Sequence, residues 1–258
     1  MSATMAPTIV KIGGKLAANP HLMTLLAQEF SALISQGKTL LLVHGGGVAI
    51  SELQHKYGLS PQFIEGRRHT PEAEMPLVDM ALAGTVNKDL VRLFTAQGAL
   101  SWGLSGADAQ LIQAQGIGEK SNRTGFPHQV NPAPLHMLWS NGYLPIVAPP
   151  SSDQWGGGMN VNADEAALAI AKAVQASALI FLSDVPGVLV DANPIPSLNP
   201  QQAEKLISSE VISGGMIPKV RSAVAALSDV EVVHIANYQE SGHLQAVLQQ
   251  QRGTAIKK

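Results

Sequence analysis

The chain has 258 residues, 45% of them apolar and 14% charged, with a formal net charge of −2. That composition suits a large buried core, excludes a disordered chain and gives no reason to expect nucleic acid or an anionic membrane as partner. Cysteine is absent, which excludes a disulfide scaffold, cysteine-based zinc and a thiol nucleophile; with no secretory leader pattern and no run of about 18 apolar residues, a cytoplasmic protein is expected.

The first predicted element is the strand "TIVKIGG", a short apolar run ended by glycines. Asn19 and Pro20 read as cap and first turn of a helix reaching about Gln36, where Gly37 stops it. "TLLLVHGGG" repeats the scheme and leads into a helix through about Tyr57. Thr70 and Pro71 open a long helical region to about Gln97, and "ALSWGLSG" is a strand entering a glycine turn. "GIGEKSNRTGFPHQVNPAP", rich in turn formers, reads as an exposed excursion, and "YLPIVAPP" as a strand ending in prolines. A helix starts near Ala163 with Asn162 as its cap. "ALIFLSDVPGVLV" and "VEVVHIA" supply later strands, separated by helices near Gln201 to Ser208 and Met216 to Leu227. Continuous apolar runs alternating with helices give an α/β fold with an open, mainly parallel central sheet sandwiched between helices. A division into lobes 1–176 and 177–258 is expected, although no linker composition marks it.

In open α/β sheets, ligands collect beyond the carboxyl ends of the strands. That edge receives Gly13-Gly14, Gly45-Gly46-Gly47, Gly103 with Ser105-Gly106, the segment "GGMNVNADE", and Asp184 with Gly187. Each glycine group alone is ordinarily a tight turn, and none matches a P-loop or dinucleotide fingerprint; together they suggest close backbone approach to phosphates or carboxylates. Lys11 interrupts an apolar strand, where a charge is costly unless paired. Lys219 follows two glycines at the start of a helix, where it opposes the dipole. Two lysines in locally unfavourable settings point to an anionic ligand.

The segments "KIGGKL", "VHGGG", "GRRHTP", "ALAGTVNKDL", "GLSGADA", "NGYLPIVAP", "MNVNADEAA", "LIFLSDVPGVL" and "GGMIPKV" occur in that order. Together they resemble the amino acid kinase family, in its branch acting on an N-acetylated glutamate, from about residue 8 to the C-terminus. The resemblance implies ATP-dependent phosphorylation of the γ-carboxylate of N-acetyl-L-glutamate in the second step of arginine biosynthesis, with Mg²⁺ carried by the nucleotide and no metal site of the protein's own. It implies Lys11 and Lys219 as the lysines that stabilise the transferring phosphoryl group, and Asp164 as the aspartate holding both. It assigns Gly46, Gly47, Arg68 and Asn160 to the amino-acid substrate. Gly13 and Gly14 would receive the phosphates, while Asp184, Val185, Pro186, Gly187, Val188 and Leu189, with Val211, Ile212 and Ser213, would hold the rest of the nucleotide. Arg67 reads as solvated surface.

Family resemblance also implies a homodimer, through a helical region "TPEAEMPLVDMALAGTVNKDLVRLF" more apolar than one helix face needs. With only "MSATMAP" ahead of the first strand, no hexamer-forming N-terminal arm and no arginine inhibition are expected. A related kinase acting on an aminoadipate derivative, one methylene longer, stays open at this point. So does a catalytically silent sensor of nucleotide or amino acid, against which the joint presence of Lys11, Asp164 and Lys219 speaks.

Overall fold

The computed structural model describes residues 6–64, 66–119, 121–191 and 193–258; the segment Met1–Met5, on which the expectation about an N-terminal arm rests, lies outside the described residues. β1 (Thr8–Ile12) is followed by one helical turn, Gly14–Ala17, and by α1 (Pro20–Ser35), which Asn19 caps by accepting the Leu22 amide hydrogen. β2 (Leu40–His44) leads through glycines into α2 (Gly47–Lys56) and a hairpin of β3 (Gln62–Ile64) and β4 (Arg67–His69). The long helical region comprises α3 (Met75–Asp79), a π-helical stretch Met80–Val86 and α4 (Asn87–Ala96). Next come β5 (Ser101–Ser105), β6 (Ile112–Gly116), β7 (Thr124–Val130), α5 (Ala133–Ser140), β8 (Leu144–Ala148), β9 (Ser151–Ser152), β10 (Gly158–Val161) and α6 (Ala163–Ala173). The chain ends with β11 (Ala178–Ser183), a small hairpin of β12 (Leu189–Val190) and β13 (Asn193–Pro194), β14 (Ser197–Leu198), α7 (Pro200–Ser208), α8 (Met216–Ala226), β15 (Val232–Asn237), α9 (His243–Leu248) and β16 (Thr254–Lys257).

Eight strands form one sheet in the order β14-β16-β15-β11-β1-β2-β8-β5, parallel throughout except where β16 runs against β15. Side chains alternate across the sheet, so each strand serves two cores. Val10, Ile12, Leu40 and Leu42 pack with Leu26 and Phe30 of α1 and Leu90 and Phe94 of α4. Ile9, Leu41, Val43, Leu179 and Phe181 pack on the other face with Ala166, Ala167 and Ile170 of α6 and Val220 and Ala223 of α8. The alanines let α6 lie close to the sheet. Burial of each large apolar side chain contributes roughly 1.5–3 kcal/mol, which is why continuous apolar runs identified these strands. No helix among the described residues is long and apolar enough to cross a membrane.

One expectation holds only in part. The stretch read as an exposed excursion is largely exposed, but it has regular structure: it supplies β7 and the start of α5, and β6, β7, β9 and β10 close into a small four-stranded barrel. One of its glycines serves close packing: a Cβ at Gly125 would lie 2.6 Å from the Met159 methyl and 2.7 Å from the Gln115 carbonyl oxygen. Asn131, one residue ahead of the N-cap Pro132, accepts the Ala133 amide hydrogen in a turn, so "NPAP" opens a helix. The barrel delivers Thr124 and Asn160 to the carboxyl edge of the main sheet.

Candidate active site

Lys11 follows Ile9 by two residues and therefore faces the same side of the sheet, the side covered by α6 and α8. It stands near the carboxyl end of β1, between Phe181 and Val43 of the flanking strands. Asn162 caps α6 through the Asp164 amide hydrogen, which sets Asp164 in the first helical turn above that strand end. Lys11 Nζ lies 2.6 Å from Asp164 Oδ1. Oδ1 itself is buried, so Lys11 is the cation that faces it. Lys219, in the first turn of α8, brings its Nζ to 3.9 Å from Asp164 Oδ2 and 3.5 Å from Ser183 Oγ. One carboxylate thus stands between two ammonium groups from opposite ends of the sequence. A half-buried cluster of this kind is weak evidence for stability, because desolvation offsets much of the attraction.

Three cavities meet around this cluster. One of about 620 Å³ is lined by Lys11, Gly14, Gly46, Gly47, Arg68 and Asn160 among others. A second, of about 420 Å³, is lined by Lys11, Gly13, Lys15, Asp184, Lys219 and Tyr238 among others. A third, of about 370 Å³, contains Arg67, Asp164, Glu165, Gly215 and Lys219. The first holds the opening of α2, whose first-turn amide hydrogens have no partners within the helix and favour an anion. The second carries three lysines against one carboxylate, Asp184, whose pKa is lowered by its own backbone amide and by Lys15. A further cavity, of about 700 Å³, lies on the small barrel; its cation, Arg123, is held by Asp153 at 2.7 Å and by the Gly158 carbonyl.

Arg68 is buried in the first cavity wall. Its Nη1 donates to Gln54 Oε1 at 2.5 Å, and its Nη2 donates to the Gly47 carbonyl at 2.8 Å and Ser51 Oγ at 2.9 Å. Burial lowers its pKa from the ordinary guanidinium value, while Glu74 opposes that shift. Gly47, Ser51 and Gln54 fall on one face of α2 at spacings of four and three, a helical stripe that sequence reading passed over. Asn160 Nδ2 donates to Thr70 Oγ1, and Thr70 and Thr124 both donate to the Arg68 carbonyl. The other amide hydrogen and the oxygen of Asn160 are what a ligand could meet.

Several predicted positions differ from expectation. Arg67 is more than solvated surface: its side chain is 37% exposed, but its Nη2 pairs with Glu165 Oε1 and it lines both the first and third cavities. Val188 and Ile212 bury their side chains in the core: the turn after β11 folds back on Thr254, whose Oγ1 accepts the Val188 amide hydrogen at 2.9 Å, and the Ile212 amide donates to the Leu206 carbonyl at 3.0 Å. At those two positions only main chain is left for a ligand. Val185, Pro186, Gly187, Leu189, Val211 and Ser213 do not line the three cavities, whereas Lys15, Asn237, Tyr238 and Gln239, which the sequence did not flag, line the second.

Residues 6–237 match the amino acid kinase family. An acetylglutamate kinase from Gracilaria tenuistipitata var. liui is 41% identical over 234 residues, covering 88% of this chain and 82% of the relative. One from Halalkalibacterium halodurans is 38% identical over 257 residues, covering 97% and 95%. Among solved structures, smu.665 from Streptococcus mutans superposes with a TM-score of 0.81 at 27% identity, covering 97% of this chain and 98% of that one.

Proposed function

The chain belongs to the amino acid kinase family, and we propose that it transfers the γ-phosphoryl group of ATP to the γ-carboxylate of N-acetyl-L-glutamate, the second step of arginine biosynthesis. Asp164 standing between Lys11 and Lys219 carries this proposal. A carboxylate oxygen attacks the γ-phosphorus, the bond to the β–γ bridging oxygen breaks, and ADP leaves with that electron pair. No proton moves, because the nucleophile is ionised at neutral pH. The difficulty is that anion must meet anion, so the work falls to alignment and charge neutralisation.

Lys11 lines both the 620 Å³ and 420 Å³ cavities, as suits a cation at the meeting point of nucleophile and phosphoryl group. One of its three ammonium hydrogens faces Asp164, which leaves the others available to a phosphoryl oxygen. Lys219 belongs to the 420 Å³ cavity and acts on the leaving side. Asp164 positions both and offsets their repulsion. The first cavity takes the amino-acid substrate, with Gly46 and Gly47 main chain, Arg68 and Asn160 as its contacts. The second takes the ATP phosphates beside Gly13 and Gly14, with the adenosine reaching toward the 184–189 and 211–213 segments. Asp184 is the carboxylate lining that cavity, so its donor set suits Mg²⁺ that keeps phosphate and water ligands; bound with ATP, the ion would supply charge neutralisation. Apart from the first-strand end with Gly13 and Gly14, which meets the phosphates, residues before about Ala176 hold the amino acid and those after it the rest of the nucleotide, in a cytoplasmic homodimer.

Hydroxylamine trapping tests the reaction. Acyl hydroxamate is expected only with both ATP and N-acetyl-L-glutamate present, and the acetylated aminoadipate homologue should be slower, since one methylene discriminates by about 10- to 200-fold. ADP formation without hydroxamate would overturn the proposal.

A further inference from the structure

Arg67 and Glu165 have no part in the chemistry above, yet each adjoins a residue that does. Arg67 precedes Arg68 on β4, and Glu165 follows Asp164 in the first turn of α6. Neighbouring residues on a strand point to opposite sides. Arg68 accordingly ties the β3–β4 hairpin to α2, through Gln54, Ser51 and the Gly47 carbonyl. Arg67 ties the same hairpin to α6, through Glu165. The hairpin is therefore fastened on both sides by consecutive arginines. Arg67, Asn162 and Asp164 line both the 620 Å³ and the 370 Å³ cavity, so the Arg67 side chain forms part of the wall between the substrate space and the space beside Lys219.

The pair is not a saturated surface bridge. Arg67 Nε and Glu165 Oε2 are buried without hydrogen-bond partners, so the two groups share one bond where guanidinium and carboxylate can share two. Glu165 also adds an anion one residue from Asp164, in a site meant for two anionic reactants. Arg67 neutralises it there.

We infer that Arg67 and Glu165 are a positioning pair, which fixes the substrate-gripping hairpin relative to the Asp164 turn and screens the Glu165 charge from the incoming carboxylate. This rests on the function proposed above. The charges make the two truncations unequal. Glu165→Gln loosens the tie and leaves the site more cationic; Arg67→Met loosens it and also exposes an anion to an anionic substrate.

Steady-state kinetics on Glu165→Gln, Arg67→Met and the double variant test it. Glu165→Gln should raise KM for N-acetyl-L-glutamate about fivefold, the upper end for a partly exposed ion pair, with KM for ATP unchanged. Arg67→Met should raise it more, and adding Glu165→Gln to Arg67→Met should lower it again. Additive losses, or equal damage to both substrates, would overturn the inference. Hydrogen exchange of hairpin amides 62–64 and 66–69, measured without any substrate, decides the tie whatever the substrate proves to be: exchange should quicken severalfold in Glu165→Gln and stay unchanged in α1 and α4. Unaltered hairpin exchange would refute the tie even if kinase activity is confirmed, and quickened exchange in a protein inactive on N-acetyl-L-glutamate would leave the tie standing while the proposed reaction fell.

Discussion

Lys11 and Lys219 reach Asp164 from different elements, one from a strand interior and one from a helix start, so each can be removed while the other keeps its place. Lys219→Ala should lower kcat by about 100-fold, the usual effect of deleting one transition-state charge donor, and leave both Michaelis constants nearly unchanged. A loss confined to ATP affinity would assign it to ground-state binding. Arg68→Lys should show the opposite bias, raising KM for N-acetyl-L-glutamate about tenfold or more with ATP little affected, because lysine keeps the charge and loses the planar fork. Equal damage to both substrates, read from initial rates, would count against that assignment. Both lysines were legible in the sequence because each breaks a local rule, a charge in an apolar strand and a cation at a helix start. Arg67 was not, because an arginine after a glycine looks like surface until Glu165, 98 residues away, is seen beside it. The burial of the Val188 and Ile212 side chains was not legible for a related reason: a turn sequence marks where the chain bends and says nothing about which side chains the bend turns inward.

The glycine loop after β2 is held from below by a polar network that spans elements. His44 Nδ1 donates to the Gly45 carbonyl and its Nε2 accepts from Asn87 Nδ2, which also donates to the Ile146 carbonyl, joining β2, β8 and α4. Burial, with Lys88 adding to it, lowers the His44 pKa from 6.5 to about 4, and protonation would set a second donor against Asn87. Between pH 6.5 and 4 the unfolded state then binds more protons, so stability falls as pH falls through that window. His44 should account for about 2 kcal/mol of the stability lost between pH 7 and 5. Urea unfolding of His44→Gln should show a correspondingly smaller loss over the same interval; an identical loss would contradict the buried neutral histidine. His234, also lowered to about 4, stays in both proteins and cancels. Above the loop, a Cβ on Gly46 would lie 2.5 Å from Leu82 Cδ2 in the π-helical stretch. Gly46→Ala should therefore cost about 1–3 kcal/mol by overpacking. The double variant with Leu82→Ala should be less destabilised than the sum of the two singles, and strict additivity in thermal unfolding would remove that contact as the cause. Most strands and helices of the main sheet were readable from apolar runs and caps, although the short strands β14 and β16 were not. The small barrel was not, because its short strands owe their stability to cross-strand partners far along the chain.

At the scale of the molecule, the main sheet ends at β5, where Leu100 and Trp102 are half exposed and the π-helical stretch bearing exposed Met80 packs alongside. That apolar border, foreseen only as an over-apolar helical region, suits the proposed two-fold contact, and light scattering should give a mass near twice 27.1 kDa. A stable monomer at micromolar concentration would contradict it. The order of the sheet puts β1 between β11 and β2, so that the carboxyl end of one strand serves both the amino-acid cavity and the phosphate cavity. Direct attack of a carboxylate on phosphorus across Lys11 is the claim on which the whole arrangement turns. Oxygen tracing measures it: N-acetyl-L-glutamate with both γ-carboxylate oxygens replaced by ¹⁸O is turned over with ATP, the product is captured with hydroxylamine, and the released phosphate is weighed by mass spectrometry. Hydroxylamine attacks the acyl carbon, so the bridging oxygen leaves with phosphorus. One ¹⁸O per phosphate, matched by one hydroxamate, is the predicted result. Phosphate free of ¹⁸O would mean that water or another nucleophile takes the phosphoryl group, and would contradict the account.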